Sequence, residues 1–216
     1  MRQSKGGRMR EAGVMDAFRA WIRDQLRTYD ASHDAVHALN VERLATRIAA
    51  DAALSDVARA DVPYAALAHD LCDRKYCAPD DVADRLAALN GALASVEVDA
   101  EVARVVRCVV PLVSFTRLAR DGVPSELDED ADARAAYHAV SDADMLEAMG
   151  LTGMLRTHML QAVRGSTTAD AHAYVRTRLL TYLPHLHYAW ARKEGARRHA
   201  LMSRLCFQYE RERDPM

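Results

Sequence analysis

Between Ala65 and Tyr76 the chain passes through Ala65, Ala66, Leu67 and Ala68 straight into His69, Asp70 and Asp73. A run of small apolar residues with no polar face is how a buried helix reads. Polar groups at its end mark where that helix meets a site. Successive side chains on a helix point about 100° apart, so His69 and Asp70 can close on one ion from neighbouring directions, with Asp73 one turn on. The expected helix spans Val62 to Tyr76, with Pro63 in its first turn, where a missing N–H costs nothing.

Helical periodicity continues on both sides. Val14, Phe18, Trp21, Ile22 and Leu26 recur at helical spacing over Val14 to Thr28. Tyr29 to Ser32 breaks the pattern, and Ser32 is a suitable cap for a helix from His33 to Ala53. That helix sets His33 and His37 one turn apart on one face. Further helices are expected over Pro79 to Ala94, Asp99 to Val110, Leu151 to Val163, Thr168 to Leu183 and His187 to Arg211. Pro111 interrupts the series, and Ser114 to Ser125 reads as a loop-rich connection. The acidic run from Glu126 reads as a solvated helix entry, because it lacks the glycine and terminal Glu of a calcium loop. Asp142 and Asp144 then interrupt an otherwise apolar helical pattern. With no strand alternation and no repeat, the fold class is all-α.

At 216 residues, half of them hydrophobic, the chain supports one domain with a substantial core. The expected division is a flexible basic tail over 1–12, one helical domain over 13–210 and a short tail over 211–216. A net charge of −2 gives no field that favours nucleic acid or membrane. Lysine occurs only at Lys5, Lys75 and Lys193, so the 29 basic residues are nearly all arginine, a composition bias without functional content. Cys72, Cys77, Cys108 and Cys206 lack a disulfide-framework spacing. With no apolar run long enough to span a bilayer and no signal-peptide core, a cytoplasmic location is expected. His158, His172, His185, His187 and His199 read as ordinary surface histidines.

The order His37, His69-Asp70, Asp144 resembles the HD-domain phosphohydrolase superfamily, whose pattern is His, His-Asp, Asp on separate helices of an all-helical bundle. The likeness extends to Ser32-His-Asp-Ala-Val-His37, Ala68-His-Asp-Leu-Cys-Asp-Arg-Lys75, Ser114-Phe-Thr-Arg117, Asp142-Ala-Asp-Met-Leu-Glu-Ala-Met-Gly150 and Arg197-Arg-His-Ala-Leu-Met202. These segments are similar to a small bacterial-type branch that includes manganese-dependent nucleoside triphosphate pyrophosphohydrolases. The resemblance implies His37, His69, Asp70 and Asp144 as ligands of one divalent ion, with Asp142 as the rival to Asp144. Two imidazoles and two carboxylates suit Mn²⁺, which the branch favours, and also Co²⁺, Ni²⁺, Fe²⁺, Zn²⁺ or Mg²⁺. Three positions depart from the pattern: Asn40 and Met145 stand where arginines are expected, and Glu147 ends the segment usually written Asp-Arg-Leu-Asp.

The implied activity is metal-assisted hydrolysis of a small-molecule nucleotide, most specifically a nucleoside triphosphate giving monophosphate and pyrophosphate. Asp73 is the expected proton acceptor, His33 a general acid or phosphate partner, and Lys75 a phosphate-neutralising cation. Each has a structural alternative: Asp73 pairing with Lys75 or Arg74, and His33 serving only at a helix start. A 5′-nucleotidase, a phosphodiesterase and a non-catalytic nucleotide-sensing module remain as other readings. A homodimer stands open.

Overall fold

The computed structural model describes residues 5–30, 33–74 and 76–213, residues 5–12 as backbone alone. Ser32, Lys75 and the first four residues of the basic segment therefore lie outside the described residues. Ten α-helices are α1 (Lys5–Gln25), α2 (Ala35–Asp51), α3 (Asp56–Ala68), α4 (Val82–Ser95), α5 (Ala100–Val109), α6 (Phe115–Asp121), α7 (Ala131–Ala148), α8 (Gly150–Val163), α9 (Thr168–Thr177) and α10 (Ala189–Arg213). Among the described residues there is no strand, and no helix is long and apolar enough to cross a membrane.

Helices α2, α3 and α7 form the centre, with α5 against α3 and α7, and α8 and α10 against α7. Small side chains allow this close packing. Ala38, Ala45 and Ala49 of α2, Ala65, Ala66 and Ala68 of α3, and Ala136, Ala139 and Ala143 of α7 are all buried. Larger residues fill the spaces between the helices: Ile48, Leu67, Leu89, Leu93, Tyr137 and Leu146 are almost wholly enclosed. Each such side chain contributes roughly 1.5–3 kcal/mol of burial free energy. Helix α1 seals one flank with Phe18, Ile22 and Leu26. Its Arg19 reaches the buried Glu42 through Nε (3.0 Å) and Nη2 (2.5 Å).

Several element boundaries differ from those expected. Helix α1 begins at Lys5, within the segment read as a tail, because each residue added to an existing helix gains a hydrogen bond without a new nucleation step. Asp34, not Ser32, caps α2, accepting the His37 N–H at 2.9 Å. Ser55 caps α3, which starts at Asp56 and so places Pro63 inside the helix. The hydrogen bond that Pro63 omits would go to Arg59, which is exposed, so water can satisfy that carbonyl. Helix α3 ends at Ala68, and His69–Cys72 tightens into a 3-10 turn. The expected loop after Ser114 is instead α6, capped by Ser114 and ended by Gly122 at φ +81°. The acidic run supplies the α7 entry: Asp130 caps Ala133 at 2.9 Å, with Asp132 in the first turn.

The corner from α7 to α8 depends on two glycines. Gly150 turns the chain at φ +84° beside Arg198, and a Cβ on Gly153 would overlap the Ala148 carbonyl. This tight corner holds α8 against the end of α7 that carries Asp144 and Glu147.

Asp61 of α3 is fully buried, and neither of its carboxylate oxygens has a hydrogen-bond partner among the described residues. Burial, reinforced by the charges of Asp132 and Glu101, pushes its pKa from 3.8 up to about 8. Across roughly pH 4 to 8 the folded state thus holds a proton that the unfolded state has lost, and stability falls as pH rises through that window. Asp61→Asn removes this slope. Melting curves from about pH 5 to about pH 8 should diverge by up to about 1.4 kcal/mol per pH unit, the variant declining less. Equal slopes would refute a protonated buried carboxyl.

Candidate metal centre and its cavity

Three central helices bring together side chains that are remote in sequence. His37 comes from the first turn of α2, His69 and Asp70 from the 3-10 turn after α3, and Asp144 from the last turns of α7. In the 3-10 turn His69 and Asp70 are splayed about 120° apart, wider than on the expected α-helix. His37 Nε2 lies 3.2 Å from His69 Nε2, 3.4 Å from Asp70 Oδ2 and 3.4 Å from Asp144 Oδ1. His69 Nε2 lies 3.3 Å from Asp70 Oδ2 and 3.9 Å from Asp144 Oδ1. His37, His69 and Asp70 therefore lie close enough to share one ion, and Asp144 stands beside both imidazoles.

The imidazoles are oriented from behind. His69 Nδ1 donates to the Ala66 carbonyl at 2.7 Å, which turns its Nε2 towards the cluster. His37 Nδ1 lies 3.1 Å from Oε2 of Glu147, a buried carboxylate, which directs the other ring nitrogen inward as well. Two ring nitrogens held 3.2 Å apart require a proton or a metal cation between them. Asp70 Oδ2 is buried and has no hydrogen-bond partner among the described residues. Burial works to lower the His37 pKa, yet the Asp144 and Asp70 carboxylates push it up to about 9. Burial likewise works to raise Asp70, and His69 and His37 hold it well below the usual carboxylate range. The donor set demands positive charge, and the geometry of His37, His69 and Asp70 fits a divalent ion.

Beside this cluster, His33, Asp70 and Asp73 also converge. His33 precedes α2, and its Nε2 stands 3.9 Å from Asp73 Oδ2, while its Nδ1 faces Tyr76 Oη at 3.2 Å. Asp73 follows the 3-10 turn in extended conformation, which aims it towards His33 instead of along a continuing helix. Both clusters form the floor of a cavity of about 620 Å³. Its walls carry Arg74, Arg117, Arg120, Arg156, Arg164 and Arg178, with Phe115 and Tyr182. Arg117, Arg120 and Arg164 are paired with Glu126, Asp121 and Asp30. Arg178 lies 4.4 Å over the Phe115 ring and donates to Thr116 Oγ1 at 2.6 Å.

Asp142, the rival carboxylate, is engaged elsewhere: its two oxygens accept the His187 and Tyr188 N–H groups, each at 2.8 Å. Burial pushes its pKa up to about 6. His187 is exposed but stacks on the buried His138 at 3.7 Å, a pairing that its surface reading did not foresee. The main omission of the sequence reading is Arg156. Its guanidinium closes on Glu147 Oε2 and lies 3.2 Å from His37 Nδ1. One signal was present, since Arg156 is the lone arginine in an otherwise apolar or neutral α8. Asn40 Nδ2 also reaches Glu147, at 3.4 Å, whereas Met145 is turned into the core.

No protein-family model matches the chain. It is 28% identical over 214 residues to the uncharacterized protein YpgQ of Bacillus subtilis (strain 168), covering 94% of this chain and 96% of that relative. A crystal structure of Bacillus subtilis YpgQ superposes with a TM-score of 0.73 at 26% identity, covering 94% of this chain and 97% of that one. Another, in complex with ADP, gives 0.72 at 24% identity, covering 95% of this chain and 97% of that one. An HD-superfamily hydrolase from Bacillus thuringiensis gives 0.69 at 18% identity, covering 96% of this chain and 100% of that one. The helical arrangement is therefore shared with these proteins, one of them an HD-superfamily hydrolase.

Glu147→Gln exchanges a carboxylate for an amide behind His37. Removing the carboxylate that orients a metal-binding imidazole typically costs 10–100-fold in metal affinity. Titration of metal-free protein with Mn²⁺, followed by calorimetry, should show a loss of about that size, with the helical circular dichroism retained. Unchanged affinity would mean that Glu147 does not tune the centre.

Proposed function

We propose that this chain is a divalent-metal-dependent hydrolase of nucleotide phosphates, with a nucleoside triphosphate as substrate and monophosphate and pyrophosphate as products. The observation that carries this reading is the convergence of two inward Nε2 atoms with Asp70 and Asp144 on the floor of an arginine-walled cavity. The ADP bound in the YpgQ crystal structure supports a nucleotide ligand for the shared fold.

In this mechanism His37, His69, Asp70 and Asp144 hold the ion, with Mn²⁺ favoured. When bound, the ion supplies Lewis acidity to a phosphoryl oxygen and a lowered pKa for water. Asp73, at the cavity floor beside Asp70, orients the attacking water and takes its proton as oxygen bonds to phosphorus. His33 returns a proton to the anhydride oxygen that departs with pyrophosphate. Lys75, two residues beyond Asp73, balances charge on the phosphates. Arg178 and Arg74 face the cavity and supply further cationic contacts. Several arginines around one cavity favour a polyphosphate over a monophosphate.

Metal-stripped protein, incubated with ribo- and deoxynucleoside triphosphates and Mn²⁺, Co²⁺ or Mg²⁺, should release monophosphate and pyrophosphate. Asp144→Ala should abolish the reaction, and Asp73→Asn should slow it by about 10²–10⁴-fold. Nucleoside and phosphate from monophosphates would instead identify a nucleotidase. Metal binding without turnover of any nucleotide would indicate a non-catalytic sensing module.

Arg178→Ala tests the cavity wall separately. It should raise KM for a triphosphate by roughly ten-fold or more, equivalent to losing about 1.5–3 kcal/mol of charged hydrogen bonding. Steady-state kinetics with the product assay measures it, and an unchanged KM would remove Arg178 from the substrate contacts.

A further inference from the structure

The 3-10 turn after α3 serves two sets of donors. Asp70 stands with His37 and His69 in one set and with His33 and Asp73 in the other, and in each set one ligand atom per residue lies within 4.8 Å of the others. Asp73 leaves the turn in extended conformation, which keeps its carboxylate beside that of Asp70. His33 Nε2 stands 3.9 Å from Asp73 Oδ2, beyond the reach of a direct hydrogen bond. Asp70 Oδ2 is buried and has no hydrogen-bond partner among the described residues.

We propose that His33, Asp70 and Asp73 form a second divalent-cation site, sharing Asp70 with the first, and that filling it arrests the reaction. The second imidazole is oriented from behind in the manner of the first. His33 Nδ1 faces Tyr76 Oη at 3.2 Å and Asp30 Oδ1 at 3.6 Å. Asp30 is itself held by Arg164 at 3.0 Å, and Tyr76 stacks on the buried Tyr29 at 4.1 Å. Polar partners behind one ring nitrogen turn the other towards an ion, as Glu147 does for His37.

The donor set also fixes the order of filling. The His33 and Asp73 side chains are 15% and 27% exposed, against 4% and 9% for His37 and Asp70, so water completes the shell of the second ion. One imidazole and two carboxylates, one of them shared, bind less strongly than two imidazoles and two carboxylates. Repulsion from the first cation weakens the second further. Mixed nitrogen and oxygen donors with room for water suit Mn²⁺ and similar divalent ions. An ion on Asp73 occupies the oxygen that accepts the proton of the attacking water. An ion on His33 Nε2 displaces the proton returned to the departing oxygen. Low metal concentration therefore activates and high concentration inhibits. That consequence rests on the proposed hydrolase reading, whereas the site itself does not.

Calorimetric titration of the metal-stripped full chain with Mn²⁺ tests the site. The wild type should bind two ions in succession, the second roughly ten-fold or more weakly than the first. His33→Ala and Asp73→Asn should each lose the second event and keep the first, with helical circular dichroism retained. Electron paramagnetic resonance should show the signal per ion falling as the second site fills, because neighbouring Mn²⁺ spins couple. A single event in the wild type, a second event that survives both substitutions, or strictly additive spectra would overturn the proposal. Initial rates at a constant concentration of the Mn²⁺–triphosphate complex should rise and then fall with free Mn²⁺. A rate that holds its plateau while the second site fills would overturn the inhibitory role. Absence of turnover at every metal concentration would count against the hydrolase reading alone, and the isotherm would still decide the second site.

Discussion

The arrangement of the centre depends on two imidazole nitrogens held face to face. His37 Nε2 and His69 Nε2 stand 3.2 Å apart, and the groups behind each ring, Glu147 and the Ala66 carbonyl, fix which nitrogen points inward. Asp70 and Asp144 close on the same point. Such a cluster is unfavourable without positive charge at its focus, carried by a proton or a metal ion, because its buried carboxylates otherwise lack compensation. Alanines along α2, α3 and α7 let the three helices come close enough to share one centre. Packing thus places the ligand set, and the electrostatics of that set select a cation.

Most of this was readable from the sequence because it rests on local regularities. Helical spacing of Phe18, Ile22 and Leu26, or of Val41, Leu44 and Ile48, marks helices independently of context. His37 and Asp144 are 107 positions apart; periodicity marks Asp142 and Asp144 alike as polar interruptions, and it is the family resemblance that joins Asp144 to His37. What escaped were features set by neighbours distant in sequence. A proline inside α3 contradicts local preference and is tolerated because Arg59, whose carbonyl it leaves unbonded, is exposed. The tightening of His69–Cys72 into a 3-10 turn has no signature in composition, and it redirects both Asp70 and Asp73. The His138–His187 stack joins α7 to the turn before α10, a contact that spacing within either segment cannot show.

The departures at Asn40, Met145 and Glu147 acquire a physical meaning together. Met145 points into the core, so a cation there would have been buried without a role. Asn40 lies beside Glu147, and the positive charge that balances this carboxylate comes from Arg156 on α8. The cation beside the centre is thus supplied by a surrounding helix. Arg117 on α6, Arg156 on α8 and Arg178 just after α9 now line the cavity, while α2, α3 and α7 supply chiefly the cation-demanding floor. The rigid centre fixes where the ion belongs, and the outer helices fix what faces it. Differences in α6, α8 or α9 can then change the ligand without disturbing the floor.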